Sequence, residues 1–478
     1  MAAASTITIR LGFSIVRSQA IPQRKPSLQE NLYSYESRNY NFLKCDRFSS
    51  PEIFGKAMAT SVLRKCLDAQ KLAEVKKETI AFSQSALLKW MSKRDTSQLK
   101  SLQAEFGKPL QLDTAIHYFK LMVKRDAIVK LDSTCLTKHP AAQNIMFHAK
   151  AVNALYSPCF DEFKNRFMSC LLPHIVFFTE MDNRAFASVA RGVLGRCAQE
   201  LFVGEVDFSK FDKSQDIFIK EFERCVYSQL GFDHELLDLW MQGEYQGKAT
   251  TLDHQLSFNV ECQRRSGAAN TWIGNSVVTL GILSLYYDLA KMQGVFISGD
   301  DSLIFSSQKL SNHSEAICLE TGFEAKFMSP SVPYFCSKFL VFCEHKFFFV
   351  PDPYKLIVKL GQVRSEVEDA DLFEIFTSFK DLTKDMHDER VLEYLARLVE
   401  EKYDVKSRCV LSALHAVHCL GSNFSSFKKL FPKQKGWLTF SRVSKSLLQK
   451  ISLGVLQQEK YSTAFGENYF LSYTSDDA

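Results

Sequence analysis

The pattern of apolar and polar positions divides the chain into three regions. Residues 55–110 follow a helical pattern with many polar positions, and residues 111–200 combine helical patterns with a basic segment. Between 200 and 365, short β-prone apolar runs alternate with longer helical patterns, and from 366 onward the pattern is again mostly helical. The sequence therefore predicts an α+β core flanked by two helical regions.

Within the core, two adjacent carboxylates stand between two apolar runs in the stretch VFISGDDSLIF, Val295–Phe305. Gly299 permits a tight turn, so the stretch predicts a hairpin with Asp300 and Asp301 at its tip. Neighbouring strand residues point to opposite faces, so one carboxylate would face a cleft and the other would lie at its edge. The tripeptide alone also fits a simple turn, since it arises by chance in about one such chain in ten.

A second pair of acids follows an earlier apolar run. Asp207 ends the run LFVGEV, and Asp212 lies five residues further on. Mg²⁺ requires several oxygen ligands, and carboxylates on adjacent strands could hold two cations about 3.5–4 Å apart, as nucleotidyl transfer requires. The alternative for Asp212 is a capping role at a helix that starts near Lys213.

Between these acidic segments lies the pattern S-G-x-x-x-T-x-x-x-N, formed by Ser266, Gly267, Thr271 and Asn275. It occurs by chance in about one such chain in two hundred. The four-residue spacing places Thr271 and Asn275 on one face of a helix, where they could reach a ribose hydroxyl together with Asp212. The alternative is a loop followed by a helix with a solvated polar face.

Composition adds limits to this picture. The 478 residues can form two to four subdomains, and the net charge of +5 permits a nucleic-acid partner without requiring one. The thirteen cysteines include no C-x-x-C pair, which favours a reducing compartment. The segment HAVHC, which contains His415, His418 and Cys419, lacks a second ligand pair, so a helix face is favoured over a zinc site.

Segments that would target the chain or span a membrane are not evident in the sequence. No apolar run reaches the length of a membrane span. The first acidic residue is Glu30, and the basic stretch before it has the composition of a transit peptide, although a flexible leader or a junction within a longer precursor is favoured. No G-x-x-x-x-G-K-[ST] loop occurs, so a helicase is not expected in this sequence.

Taken in order, the three patterns D-x-x-x-x-D, S-G-x-x-x-T-x-x-x-N and S-G-D-D resemble motifs A, B and C of viral RNA-directed RNA polymerases. The segment LMVKRDAIVKLD (Leu121–Asp132) resembles the basic motif F of the alphavirus-like plant virus polymerases, and FCSKFLVF resembles motif E. The resemblance covers residues 115–365, and the whole chain is most similar to the closterovirus polymerases.

This resemblance implies a right-hand polymerase fold, with an antiparallel palm sheet and helical fingers and thumb. The implied divisions are a leader or extension over 1–75, fingers over 76–200, a palm over 201–365 with a fingers insertion near 226–255, and a helical thumb over 366–478.

The resemblance also implies roles for individual residues. The residues expected to hold catalytic Mg²⁺, with Mn²⁺ as an alternative ion, are Asp207, Asp300 and Asp301. Those expected to select the ribose and the nucleotide are Asp212, Ser266, Gly267, Thr271 and Asn275. Those expected to bind the triphosphate are Lys124, Arg125 and Lys130.

Two further roles come with open alternatives. Lys326 would be either a general acid for the leaving pyrophosphate or an ordinary surface lysine. Cys336, Ser337 and Lys338 would either support the primer end or simply form part of a hairpin.

The function implied is that of an RNA-directed RNA polymerase from a positive-strand RNA plant virus, which uses a two-metal mechanism. Expected partners are the RNA template and product, ribonucleoside triphosphates, and viral methyltransferase and helicase proteins. The expected location is the host cytoplasm, at replication complexes that associate indirectly with membranes, and secretion is not expected. A reverse-transcriptase-like polymerase and an inactive RNA-binding replication scaffold are the alternatives.

Overall fold

The structure of the protein is a computed structural model. It describes residues 6–10, 27–40, 50–106, 109–124, 141–196, 198–343, 346–360, 368–386, 388–404, 410–431, 437–441 and 471–474. Helices and short strands alternate through these residues, so the predicted α+β class is confirmed. None of the helices in these ranges is long and apolar enough to cross a membrane.

The helices in the first 200 residues differ in length from one turn to six. They are Leu28–Arg38 (α1), Pro51–Lys65 (α2), Ala69–Val75 (α3), Gln84–Ser92 (α4), Thr96–Phe106 (α5), Leu112–Ala115 (α6), Lys150–Cys170 (α7) and Asn183–Leu194 (α8). Those that follow are Phe211–Ser214 (α9), Ile217–Gln229 (α10), His234–Tyr245 (α11), Thr271–Tyr286 (α12), Ser314–Thr321 (α13), Pro353–Leu360 (α14), Asp369–Thr383 (α15), Glu389–Tyr403 (α16), Val410–Ser422 (α17) and Phe424–Lys428 (α18).

The strands are short and come from distant parts of the chain. They are Thr6–Arg10 (β1), Tyr118–Val123 (β2), Asn144–Phe147 (β3), Ile175–Phe177 (β4), Phe202–Phe208 (β5), Gln246–Thr251 (β6), Ser257–Glu261 (β7), Gly294–Ser298 (β8), Asp301–Ser306 (β9), Ala325–Met328 (β10), Tyr334–Phe335 (β11), Lys338–Cys343 (β12), Lys346–Pro351 (β13), Trp437–Ser441 (β14) and Leu471–Thr474 (β15). They pair in the orders β14-β1-β15, β10-β5-β9-β8-β4, β11-β12-β13 and β3-β2-β6-β7.

The central sheet has the order β10-β5-β9-β8-β4. Its pairs β10–β5, β5–β9 and β8–β9 are antiparallel, as predicted. At one edge the sheet adds a strand from the range predicted as fingers, because β4 runs parallel to β8, with Ile175 opposite Val295. Parallel neighbours require a long crossover connection, and more than a hundred residues of chain separate β4 from β8. The sheet is therefore mixed.

One helix, α12, connects this sheet to the helices behind it. Its residues from Ile273 to Ser284 are all buried and most of them are apolar, which is typical of a helix enclosed by protein. It contacts β8 on one side and both α2 and α10 on the other. A helix enclosed in this way holds its few polar side chains in fixed positions.

Helix α2 lies within the range predicted as a leader or extension, yet it packs into the main core. Met58 and Val62 are completely buried there, against α10 and α12. Gly55 allows the close approach, because a Cβ atom on it would lie 2.7 Å from the backbone nitrogen of Phe222 and 2.8 Å from the carbonyl oxygen of Phe218. Residues 51–65 are thus structurally part of the core.

Gly55→Ala should therefore lower the free energy of unfolding by about 1–3 kcal/mol, because the backbone atoms of α10 cannot move aside as a flexible side chain can. Urea unfolding would measure the change. The matched control is Gly192→Ala in α8, where nothing lies within 4 Å of the new Cβ atom and no loss is expected. Equal stability of the two variants would contradict the docking of α2 on α10.

The helices α15, α16, α17 and α18 form a second apolar core with β12 and β13. The buried carboxylate of Asp352 links this core to the sheet β11-β12-β13. Asp352 accepts hydrogen bonds from the hydroxyls of Tyr334, at 2.9 Å, and Tyr403. The C-terminal helices are thereby fixed next to the hairpin that contains Cys336.

Candidate active site

The predicted acidic hairpin is confirmed. Strands β8 and β9 pair up to Ser298 and Asp301, which leaves Gly299 and Asp300 as the two-residue turn. Gly299 has a φ of +63°, in the left-handed region that favours glycine. The turn presents Asp300 at its outer end, and Asp301 begins the returning strand.

Helix α12 holds this turn in place through two hydroxyl groups. The backbone N–H of Gly299 donates to Ser276 Oγ at 2.9 Å, and Thr279 Oγ1 donates to the carbonyl oxygen of Gly299 at 2.9 Å. Trp272 Nε1 also donates to Ser298 Oγ at 3.1 Å. The position of the two carboxylates is thus fixed by buried hydrogen bonds that do not involve their own side chains.

Strand β5 brings Asp207 alongside the hairpin. Its ladder with β9 pairs Gly204 with Ile304, and the same register, when continued, brings Asp207 level with Asp301. On the other side of β5, Lys326 pairs directly with Asp207. Residues directly opposite in antiparallel strands point to the same face, so Lys326 shares the face of Asp207. Its side chain is exposed to solvent.

The pKa values of the acids in this cleft are raised first by burial and then by repulsion among the acids. Desolvation, followed by the charge of Asp301, raises the pKa of Asp300 to about 6. Desolvation also raises the pKa of Asp301, with a contribution from Asp207, although a hydrogen bond with the Cys336 thiol opposes it. The pKa of Glu205, two residues before Asp207, rises to about 7 for similar reasons. A cation bound here would relieve this repulsion.

These carboxylates fit a divalent metal that is completed by its substrate. Within the part of the chain that the structure describes, no three His, Cys, Asp or Glu side chains form a ready-made metal-binding group. Mg²⁺ commonly uses one or two carboxylates and fills its remaining positions with water and substrate phosphates. The hard oxygen donors of Asp207, Asp300 and Asp301 suit an ion of this type, and a bound cation would offset the charge of Asp301 that helps to raise the pKa of Asp300.

Next to the hairpin is a cavity of about 400 Å³. It brings together side chains from widely separated parts of the sequence. Its lining consists of Arg38, Asn39, Gln143, Asn144, Lys210, Phe211, Asp212, Ser266, Thr271, Trp272, Asn275, Ser298, Gly299 and Asp300. Four of the five residues predicted to select the nucleotide therefore share one cavity with Asp300.

Asp212 and Asn275 are directly hydrogen-bonded in this cavity, with Asn275 Nδ2 donating to Asp212 Oδ1 at 2.9 Å. Burial raises the pKa of Asp212, whereas this hydrogen bond opposes the rise. The capping alternative for Asp212 is wrong. Asp212 lies inside the single turn α9, and the residue that caps α10 is Asp216, whose side chain accepts from the backbone N–H of Phe218 at 3.2 Å.

The Ser266-Gly267 loop rests tightly on strand β3. Ser266 Oγ donates to the carbonyl oxygen of Asn144 at 2.8 Å, and the N–H of Gly267 donates to that of Met146 at 2.8 Å. A Cβ atom at position 267 would lie 2.9 Å from the Met146 oxygen, so glycine is required by close approach. Thr271, on the cavity side of α12 as predicted, donates its hydroxyl to carbonyls of the same loop.

The turn between β11 and β12 also reaches the acidic hairpin, at Asp301. Its residues Cys336 and Ser337 have φ values of +49° and +62°, as in a tight hairpin turn of the type that matches strand twist. The Cys336 thiol hydrogen-bonds to Asp301, and burial raises the pKa of this thiol. Lys338 Nζ lies 5.0 Å from the centroid of the Phe178 ring, and desolvation lowers the pKa of Lys338.

The predicted triphosphate site is only partly described. Lys124 lies next to the cavity, since its backbone N–H donates to the carbonyl oxygen of Gln143 at 2.7 Å. Arg125 and Lys130 lie outside the described residues. Sequence reasoning missed Arg38 and Lys210, two cations in the cavity lining. No local pattern identifies Arg38, because it reaches the cavity only through the packing of α1.

The comparison with known protein families agrees with this geometry. Residues 12–430 match the family model described as RNA dependent RNA polymerase. The chain belongs to this family of RNA-dependent RNA polymerases.

Relatives of this polymerase chain occur in plant viruses. It is 60% identical over 462 residues to the replicase polyprotein 1ab of Beet yellows virus (isolate Ukraine), which covers 96% of this chain and 15% of the relative. It is 36% identical over 420 residues to the replicase polyprotein 1ab of Grapevine leafroll-associated virus 3, covering 88% of this chain and 15% of the relative. The predicted similarity to closterovirus polymerases is confirmed.

A more distant relative has a name that combines three activities. The chain is 26% identical over 415 residues to a protein of Raspberry bushy dwarf virus named "Methyltransferase/helicase/RNA-directed RNA polymerase", covering 86% of this chain and 24% of that protein. This polymerase chain therefore corresponds to about 15% of the first two relatives and about a quarter of the third.

Proposed function

We propose that this chain extends the 3′ end of an RNA strand with ribonucleoside triphosphates, directed by an RNA template, within the replication machinery of a positive-strand RNA plant virus. The observation that carries the proposal is the shared cavity of Asp300, Asp212 and Asn275, next to Asp207, in a member of the polymerase family. One wall provides carboxylates for a metal, and the other provides polar groups for a ribose.

In this proposal Asp207, Asp300 and Asp301 would hold two divalent metal ions, Mg²⁺ or Mn²⁺. One bound ion would lower the pKa of the attacking 3′-hydroxyl, and the other would stabilise the charge of the leaving pyrophosphate. Asp212 accepts a hydrogen bond from the ribose 2′-hydroxyl. Lys326, which pairs with Asp207 across the ladder, donates a proton to the pyrophosphate.

The arrangement of the cores supports a right-hand organisation. We assign the central mixed sheet to the palm and the C-terminal helices α15 to α18, with their separate apolar core, to the thumb. The sheet β3-β2-β6-β7 belongs to the fingers, because it combines strands from the predicted fingers with Gln246–Thr251 from the predicted insertion. Cys336, Ser337 and Lys338 then lie where a primer end would meet Asp301.

The activity is tested by incubating the purified chain with an RNA template and a radiolabelled nucleotide, with and without Mg²⁺. Product should appear only when ribonucleotides, template and metal are all present. Deoxyribonucleotides in the same assay separate this function from that of a reverse transcriptase, since a preference for them would contradict the proposal. Absence of product under every condition would favour an inactive RNA-binding scaffold.

We further propose that the chain works with viral methyltransferase and helicase proteins, in cytoplasmic replication complexes attached to host membranes through those partners. The name of the Raspberry bushy dwarf virus relative, which combines the three activities, supports the first part. Fractionation of infected cells would test the second part, which predicts that the chain sediments with membranes only when its partners are present.

A further inference from the structure

Behind the cavity, five polar side chains form a closed ring of hydrogen bonds, which we call the buried ring. Each is less than a tenth exposed, although three carry a formal charge. The members are Gln215 (2%), Lys220 (0%), Glu223 (1%), Arg264 (0%) and Asn275 (7%). Of these, only Asn275 reaches the cavity lining. Buried charges are retained when they are paired and hydrogen-bonded, so the bonds of the ring indicate what it positions.

The ring closes through Asn275. Its Oδ1 atom accepts one hydrogen bond from Arg264 Nε at 2.9 Å and another from Gln215 Nε2 at 3.0 Å. On the far side, Lys220 Nζ donates to Gln215 Oε1 at 3.2 Å and to Glu223 Oε2 at 3.0 Å. Arg264 Nη2 donates to Glu223 Oε1 at 2.5 Å and completes the ring.

These bonds determine which way the amide of Asn275 points. A carbonyl oxygen has two lone pairs, and here both are occupied by donors of the ring. The amide nitrogen must therefore face the other way, where it donates to Asp212 Oδ1 at 2.9 Å. The backbone N–H of Arg264 also donates to the carbonyl oxygen of Asp212 at 3.0 Å. Arg264 thus holds both partners of the pair.

We propose that the buried ring sets the selectivity for ribose, with Arg264 and Gln215 as positioning residues that act through Asn275. This inference rests on the proposed function. An ionised carboxylate only accepts hydrogen bonds, so Asp212, with one oxygen held by Asn275, offers the other to a 2′-hydroxyl. A deoxynucleotide leaves that oxygen without a donor in a desolvated site, which is the kind of mismatch that gives strong discrimination.

The charges of the ring favour the form of Asp212 that this role requires. Arg264 and Lys220 are positive, and they are paired with the buried carboxylates of Glu223 and, in the case of Lys220 at 2.6 Å, of Glu244. Burial raises the pKa of Asp212, and the hydrogen bond from Asn275 and the charges of Arg264 and Lys220 oppose that rise. The ring therefore stabilises the ionised acceptor in addition to orienting its partner.

The test compares two ring variants with a neighbouring control. Arg264→Lys keeps the charge but removes the planar fork that reaches Asn275, and Gln215→Met removes the second donor without changing charge. The control is Arg265→Lys. Arg265 is also completely buried, but it donates to the backbone carbonyls of Gly243 and Glu244 instead of to Asn275.

For each protein, kcat and KM would be measured with ATP and with dATP on the same RNA template. In both ring variants we expect the ratio of kcat/KM for ATP to that for dATP to fall at least about tenfold, mainly through a higher KM for ATP. In Arg265→Lys we expect kcat/KM to change by the same factor for ATP and for dATP. Thermal unfolding would be recorded for every variant.

If the ring has a purely structural role, kcat/KM for ATP and for dATP should fall by the same factor in the ring variants. That result would overturn the inference. If Arg264→Lys does not fold, the ratio in Gln215→Met decides. A wild-type chain that makes no template-directed product would overturn the proposed function, and this inference with it. An active wild type with unchanged selectivity in Gln215→Met would overturn the inference alone.

Discussion

Asp300→Ala is expected to abolish template-directed incorporation, with a loss of at least about a thousandfold, or about 4 kcal/mol of transition-state stabilisation. Asp300 stands at the outer end of the hairpin turn, where it meets both the acids of the central sheet and the cavity with Asp212. Without its carboxylate, the metal loses a ligand at the point where the two walls of the site join. Single-turnover nucleotide incorporation at saturating Mg²⁺ would measure the loss.

The same substitution should leave the fold intact. The turn is held through the backbone of Gly299, to which the Asp300 side chain contributes nothing. The folded state raises the pKa of Asp300 from 3.8 to about 6, so its ionisation disfavours folding increasingly above pH 3.8 and fully above about pH 6, and alanine should not reduce stability at pH 7. Asp288→Ala, which removes an exposed acid paired with Lys291, is the matched control and should retain full activity. An active Asp300→Ala protein would refute the metal assignment.

The acidic hairpin could be predicted from the sequence because its determinants are local. Alternating apolar residues specify the strands, and Gly299 supplies the left-handed conformation that the turn requires. The pairing of Asp212 with Asn275 could also be anticipated, because the four-residue spacing of the helix aims Thr271 and Asn275 at one side. In both cases a few neighbouring residues contain the whole signal.

The buried ring could not be predicted in the same way. Arg264 and Lys220 stand in segments that look polar and solvated in the sequence, yet both are completely buried. Their burial depends on the meeting of α10, α12 and the loop before α12, which are distant in the chain. Pattern reasoning assigns charged residues to the surface, so it misses charges that are neutralised by partners far along the sequence.

Helix α2 illustrates a related difficulty. Its sequence is only weakly amphipathic, and it falls within residues 1–75, the range predicted as a leader or extension. What places it in the core is the absence of a side chain at Gly55, which lets two helices approach closely. Glycine in a helix normally signals weakness in sequence reasoning, so its packing role becomes visible only when the partner helix is known. The division of the chain into fingers, palm and thumb stays a prediction.

Lys220→Met is expected to lower the free energy of unfolding by about 3–5 kcal/mol, because it leaves two buried carboxylates without their shared partner. Lys220 Nζ lies 3.0 Å from Glu223 and 2.6 Å from Glu244, and it also donates to Gln215. Methionine has a similar length, so the loss would come from the missing charge and donors rather than from a cavity. Urea unfolding at pH 7 would measure it.

The pH dependence distinguishes this explanation from a simple packing defect. Burial by itself would raise the pKa of Glu244, but the charges of Lys220, Arg265 and Arg264 outweigh burial and lower it from 4.5 to about 2. A lowered pKa stabilises the fold above pH 4.5, and this contribution is lost as the pH falls toward 2. The stability difference between wild type and Lys220→Met should therefore be largest near neutral pH and shrink in acid.

The matched control for this variant is Lys291→Met, which breaks an exposed ion pair with Asp288. Water replaces the lost partner of an exposed acid, so the control should unfold at the same urea concentration as the wild type. A Lys220→Met protein that is as stable as this control would show that the buried acids do not depend on Lys220. A large loss that stays constant from pH 7 to pH 3 would point to altered packing. The expected result, a large loss that declines in acid, would show that Lys220 stabilises the fold through the charges of Glu223 and Glu244.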